Sequence, residues 1–141
     1  MTLQSTLSRP PRVTVDPPVV LDPAYVQRLQ DMASAVWERL PDVAVRLSDE
    51  IGRATVMPSR DMPADVVNIG STVTFRDESN GRDQTVTLVL PPDEDIAQGR
   101  VSVLTPVGAA IIGLAEGAAM HWLTRHGEKR RLKIVRVTRS A

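Results

Sequence analysis

The chain has 141 residues, of which 42% are hydrophobic, with 17 lysines and arginines against 17 aspartates and glutamates and no cysteine. That length holds one modest domain with an appendage around a real apolar core, and argues against a multi-domain enzyme. Disulfides, thiolate nucleophiles and cysteine-based zinc sites are excluded, and a zero net charge argues against an autonomous nucleic-acid binder driven by counterion release.

Residues 1–21 are rich in Ser, Thr and Pro, without sustained periodicity or the apolar core of a secretory signal. They read as a flexible tail on a cytoplasmic protein, and the lack of thiols fits a reducing compartment. Asp22-Pro23 then supplies a helix N-cap followed by proline at the first helical position, and Val26, Leu29, Ala33, Val36 and Leu40 recur at steps of three and four. The pattern predicts an amphipathic helix of roughly 17 residues, about 25 Å long. Pro41 breaks it and opens a second helix, where Asp42 favours the positive end of the dipole and Ala44, Leu47, Ile51 and Ala54 form the apolar face. The two predict a stubby antiparallel helical hairpin over residues 22–56. Residues 57–65 hold Pro58 and Pro63 and form a linker.

From Val66 the period changes to two. Val73 and Phe75 alternate with threonines, Asn80-Gly81 marks a turn, and Val86, Leu88 and Leu90 alternate again, which predicts an antiparallel strand pair. Pro91-Pro92 ends the second strand and an acidic loop runs to Gly99. Val101 and Val103 mark a strand, Thr105-Pro106 caps a short helix carrying Val107, Ala110, Ile111 and Leu114, and Gly113 stops it in the left-handed conformation. This apolar stretch is too short for the roughly 20 residues of a membrane span. Met120 and Trp122 mark another strand, and Leu132, Ile134, Val135 and Val137 the last, with a slip at Ile134-Val135 that indicates a bulge or burial on both faces. The class is α+β: a short N-terminal antiparallel helical hairpin, then an antiparallel sheet with one short helix over residues 66–141.

Charge is unevenly distributed. Asp77, Glu78, Asp83, Asp93, Glu94 and Asp95 make the middle acidic, whereas Arg125, Lys129, Arg130, Arg131, Lys133, Arg136 and Arg139 make the C-terminal segment basic. Either block can face a charged partner, although alternation about Leu132 and Ile134 already accounts for Arg131 and Lys133 as exposed strand positions. His121 and His126 lie five apart across a strand end and form no standard ligand pair, so neither a metal nor a cofactor is expected.

The order of these elements resembles the Gre-factor superfamily of bacterial transcription factors. The resemblance is carried by Ser102-Val103, Pro106, the Ala-rich run from Val107 to Ile112, and the Gly113-to-Gly117 turn. Arg53-Ala54 through Pro58-Ser59, Met62 to Val67, Ser71 to Phe75 and His121-Trp122 are similar to the regulator of nucleoside diphosphate kinase (Rnk) family within it, and the likeness covers about residues 22 to 137. It implies an FKBP-like C-terminal domain and a noncatalytic regulator that binds RNA polymerase near its secondary channel, modulating elongation or competing with Gre factors.

The polymerase-binding residues it implies are Ser102, Val103, Leu104, Thr105 and Pro106. Leu104 stands where cleavage-type Gre factors have an acidic residue, so the charged contact is replaced by an apolar one. Those factors also carry a long coiled coil with an acidic, metal-holding tip. Here the hairpin is short, Glu38 and Asp42 are the candidate tip residues, and Asp42 is already explained as a first-turn helix residue. Arg130 and Arg131 are candidate basic contacts to polymerase or to nucleic acid in the transcription complex. Two other functions fit less of the sequence. One is protein-level regulation of nucleoside diphosphate kinase; the other is peptidyl-prolyl isomerisation, which would need an aromatic pocket from Tyr25, Trp37, Phe75 and Trp122. The expected form is a monomer without membrane contact.

Overall fold

A computed structural model describes residues 17–124 and 126–139. Its first element falls within the expected tail. Val20–Leu21 form strand β1, with Val19 and Leu21 buried, so these residues of the expected tail are built into the fold; residues 1–16 lie outside the described residues. A two-residue strand has no periodicity to read, because its partners are distant. β1 pairs in parallel with β2 (Thr55–Val56), and the Val20 N–H donates to the Gly113 carbonyl at 3.0 Å.

Helix α1 spans Pro23–Ala35 and α2 spans Pro41–Arg53. Both begin on the expected prolines, and the Asp22 carboxylate accepts from the Ala24 N–H at 2.9 Å. The expected continuation of α1 to Leu40 is corrected. The chain leaves the helix at Val36, whose φ is −107° and ψ 9°, and Leu40, at φ −132° and ψ 65°, is kept out of the helical region by the steric demand of Pro41. Val36 and Trp37 are also weaker helix formers than the residues before them. At 13 residues the helix is about 20 Å long. α1 and α2 pack on each other, and Leu29, Ala33, Val43, Ala44 and Leu47 are their buried residues alongside Glu50, which faces Arg53 at 3.9 Å.

Five strands form the main sheet: β3 (Thr72–Asp77), β4 (Arg82–Val89), β5 (Arg100–Ser102), β6 (Ala119–Leu123) and β7 (Lys129–Thr138), in spatial order β5-β4-β3-β7-β6. β3 and β4 make the expected antiparallel pair around the Asn80-Gly81 turn, with Thr72–Thr87 and Thr74–Thr85 hydroxyl rungs at 3.0 and 2.8 Å. The slip in β7 is a bulge: Thr74 opposes Arg136 and Phe75 opposes Ile134, leaving Val135 unpaired. The sheet is mostly antiparallel rather than wholly so. Residues 90–99 wind through two 3-10 turns and return the chain to run β5 parallel to β4. Direction is set by that connection, which alternation within a strand does not encode.

Helix α3 (Pro106–Ile111) covers the sheet, and one apolar cluster joins Leu29, Ala33 and Leu47 of the helices to Phe75, Leu132 and Ile134 of the sheet. Arg46 of α2 adds a polar tie, donating to the His121 carbonyl of β6 at 2.8 Å. No helix among the described residues is long and apolar enough to cross a membrane.

Candidate functional site

The loop from Ser102 to Pro106 joins the edge strand β5 to α3, and its polar groups turn inward. The Ser102 carbonyl accepts from both the Thr105 N–H (3.0 Å) and the Thr105 hydroxyl (2.7 Å), and the Thr105 oxygen accepts from the Gly108 N–H at 3.0 Å as an N-cap. The Ser102 hydroxyl oxygen accepts from the Leu104 N–H at 3.0 Å, while the Val103 N–H donates to the Val89 carbonyl at 3.0 Å. Ser102, Val103 and Thr105 are buried. Leu104 and Pro106 are the two loop residues left half-buried, so a partner meeting this loop meets an apolar surface braced from beneath.

One brace has no counterpart in the sequence reading. The Glu94 carboxylate accepts from the Ser102 N–H at 3.2 Å, which places a negative charge beside the loop although Leu104 brings none. The two residues are eight apart across an irregular segment, and only the acidic composition of that loop hinted at a role.

The other candidates fall into two places. Glu38 lies in the α1–α2 connection and Asp42 in the first turn of α2, both exposed. Among the described residues, no three His, Cys, Asp or Glu side chains group as a metal site requires. Arg130 and Arg131 are both engaged at the far end of the sheet: Arg130 donates to Asp77 at 2.8 Å and to Glu128 at 2.9 Å, and Arg131 pairs with Glu78. Phe75 is buried, Tyr25 and Trp122 are half-buried and Trp37 is exposed.

Asp77 is a buried carboxylate with a structural task. Burial alone would push its pKa up, but hydrogen bonds from the Ser79 hydroxyl, Arg130 and the Ser79 N–H outweigh it and hold the carboxyl below its ordinary range. A folded-state pKa below the unfolded one means the stabilisation is present above the usual carboxylate value and is lost as pH falls through the folded value. Stability is expected to fall on acidification below pH ~4, and Asp77→Asn should remove part of that slope while lowering neutral stability by about 1–3 kcal/mol. Urea unfolding at neutral and acidic pH measures both; a variant with the parent's pH profile would refute this role.

Comparison with known proteins agrees with this architecture. The family model described as transcription elongation factor GreA/GreB, C-terminal, matches residues 62–139. The chain is 32% identical over 120 residues to the regulator of nucleoside diphosphate kinase of Escherichia coli (strain K12), across 84% of this chain and 88% of that relative. It is 34% identical over 83 residues to transcription elongation factor GreA of Azorhizobium caulinodans, across 59% of this chain and 53% of that longer protein. Among solved structures, the transcription elongation factor GreA/GreB from Nitrosomonas europaea superposes with a TM-score of 0.68 at 34% identity, over 87% of this chain and 99% of the other. The Gre signature thus occupies more than half of the chain and the Rnk likeness extends through the helices before it, so the protein belongs to the GreA/GreB family and is Rnk-like within it.

Proposed function

We propose that this protein is a noncatalytic transcription regulator that binds RNA polymerase near its secondary channel through the Leu104–Pro106 surface, modulating elongation or competing with Gre factors. The observation that carries this reading is the loop itself. The side-chain oxygens of Ser102 and Thr105 are engaged within the loop and brace it, and the two residues left partly accessible, Leu104 and Pro106, are apolar. Rigid presentation lowers the ordering cost of association. In this reading α1 and α2 form a short antiparallel hairpin over residues 22–56, residues 57–65 link it onward, and residues 66–141 make an FKBP-like docking unit in a monomeric protein. A hairpin of this length, with Glu38 and Asp42 exposed near its turn, has no need of a cleavage role.

Competition between the purified protein and a Gre factor for core polymerase tests the reading. Leu104, partly buried already, has at most about a third of a leucine's burial energy left to gain on docking, so Leu104→Ala should weaken competition by up to about fivefold with the fold intact by circular dichroism. No detectable polymerase binding at micromolar concentration would sink the proposal. A second reading, control of nucleoside diphosphate kinase at the protein level, is favoured by the name of the Escherichia coli relative. Immobilising this protein and offering polymerase and the kinase separately decides between them; capture of polymerase alone is expected.

A further inference from the structure

The five-stranded sheet buries one face and leaves the other open. Val73, Phe75, Leu132, Ile134 and Val137 point into the core, so the alternate positions face outward. Registration assembles that outer face in rows: Arg136 opposite Thr74, which opposes Thr85; Lys133 opposite Arg76, which opposes Asp83; Arg131 opposite His121; and Lys129 opposite Leu123. The bulge at Val135 keeps Arg136 on the same side as Lys133. Without it, Arg136 would share the parity of Leu132 and Ile134 and point inward.

Two of these cations are already neutralised. Asp83 holds Arg76 at 2.8 Å and Glu78 holds Arg131. Lys129, Lys133 and Arg136 are exposed, and among the described residues no carboxylate pairs with them. They lie in file on one strand, over about 23 Å at the rise of an antiparallel strand. The acidic segment Asp93–Asp95 is next to β5, at the opposite side of the sheet, so a chain of zero net charge nonetheless presents a positive line on this face.

We propose that this outer sheet face binds the phosphodiester backbone of nucleic acid through Lys129, Lys133 and Arg136. A linear file of unpaired cations complements a polymer that carries a negative charge every ~3.4 Å along each strand. The exposed apolar residues of this face, Leu123 and the bulged Val135, are only 40% and 38% exposed. They offer no Phe, Tyr or Trp anchor of the kind that dominates protein interfaces, and the ring that β6 places on this face, the exposed His121 imidazole, gives no platform for successive bases. Binding is therefore weak, electrostatic and independent of sequence. It is separate from the polymerase-docking reading and does not require polymerase.

Fluorescence anisotropy of the full chain with a ~20-nucleotide single strand and a duplex of equal length tests the proposal, with three phosphates neutralised predicting about fortyfold weakening for the duplex and about twentyfold for the single strand from ~50 to ~200 mM salt. Binding of either form supports it, and the tighter of the two identifies the source of the backbone. The double charge reversal Lys133→Glu with Arg136→Glu, at two exposed positions, should weaken binding at least about tenfold and reduce the salt slope by about two while the far-ultraviolet spectrum is unchanged. No salt-dependent binding, or a reversal variant that binds as tightly as the parent, overturns the proposal. Displacement of the oligonucleotide by polyglutamate at equal charge concentration also overturns it, because the face would then suit an acidic protein.

Discussion

Gly108→Ala is expected to lower the melting temperature by about 10 °C or more, corresponding to a loss of at least ~3 kcal/mol. A Cβ on Gly108 would stand 2.2 Å from the Ser102 carbonyl oxygen and 2.9 Å from the Thr105 oxygen. Neither neighbour can swing aside. The first is backbone already receiving two hydrogen bonds from Thr105, and the second caps α3 at the glycine itself. Relief therefore requires either the helix to lift from the core or the loop to open, and both destroy the arrangement that presents Leu104 and Pro106. Differential scanning calorimetry gives the stability change, and polymerase competition well below the melting point reports on the loop. A drop of less than ~3 °C would mean that the close approach of α3 to Ser102 is not a feature of the folded protein.

Gly113→Ala should destabilise by a similar amount for two separable reasons. Gly113 sits at φ +81°, where an L residue is strained by about 1–2 kcal/mol, and its Cβ would lie 2.4 Å from the Val19 Cγ1 and 3.0 Å from the Val20 carbonyl oxygen. Val19 is 1% exposed and β-branched, so its methyl group has little room to turn. A double-mutant cycle in chemical denaturation tests this. Val19→Ala alone opens a cavity and costs about 1–3 kcal/mol, yet in the Gly113→Ala background it removes the clashing methyl. The double variant is expected to be more stable than the sum of the single losses implies, by about 1 kcal/mol or more. Strict additivity would show that the two residues are not in contact.

The sequence disclosed features whose cause is local. Thr105-Pro106 and Asp22-Pro23 carry their caps within a few residues, Gly113 was the candidate left-handed residue after α3, and the failed alternation at Ile134-Val135 left a bulge or burial on both faces, of which the structure has the bulge. What stayed hidden depends on partners far along the chain. β1 looked like tail because Thr55, Met57 and Gly113 supply its bonding, and β5 looked antiparallel because its direction follows from two turns in an irregular loop. The turn from Ser102 to Pro106 was legible in the chain as a capped turn, but not the direction in which its side chains point. Ser102 and Thr105 were candidate contacts through the family resemblance, and the structure buries both to hold the turn together. Arg130, read as a surface cation, faces the buried Asp77, a pairing fifty-three residues long that only the registration of β3 on β7 creates.

The attachment of β1 carries a consequence for synthesis. Val19 to Leu21 emerge from the ribosome early but bond to Thr55, Met57 and Gly113, and the last of these lies about ninety residues downstream. Its pairing with β2 can form once Met57 has emerged, but the bond to Gly113 must wait until α3 and the turn after it have been translated, and non-local closure of this kind slows folding. At ~5–20 residues per second that delay is on the order of 5–20 s. Closure of β1 against Gly113 is then a late event that fastens the start of the chain to its C-terminal half, so a nascent protein stalled before that glycine lacks its final latch.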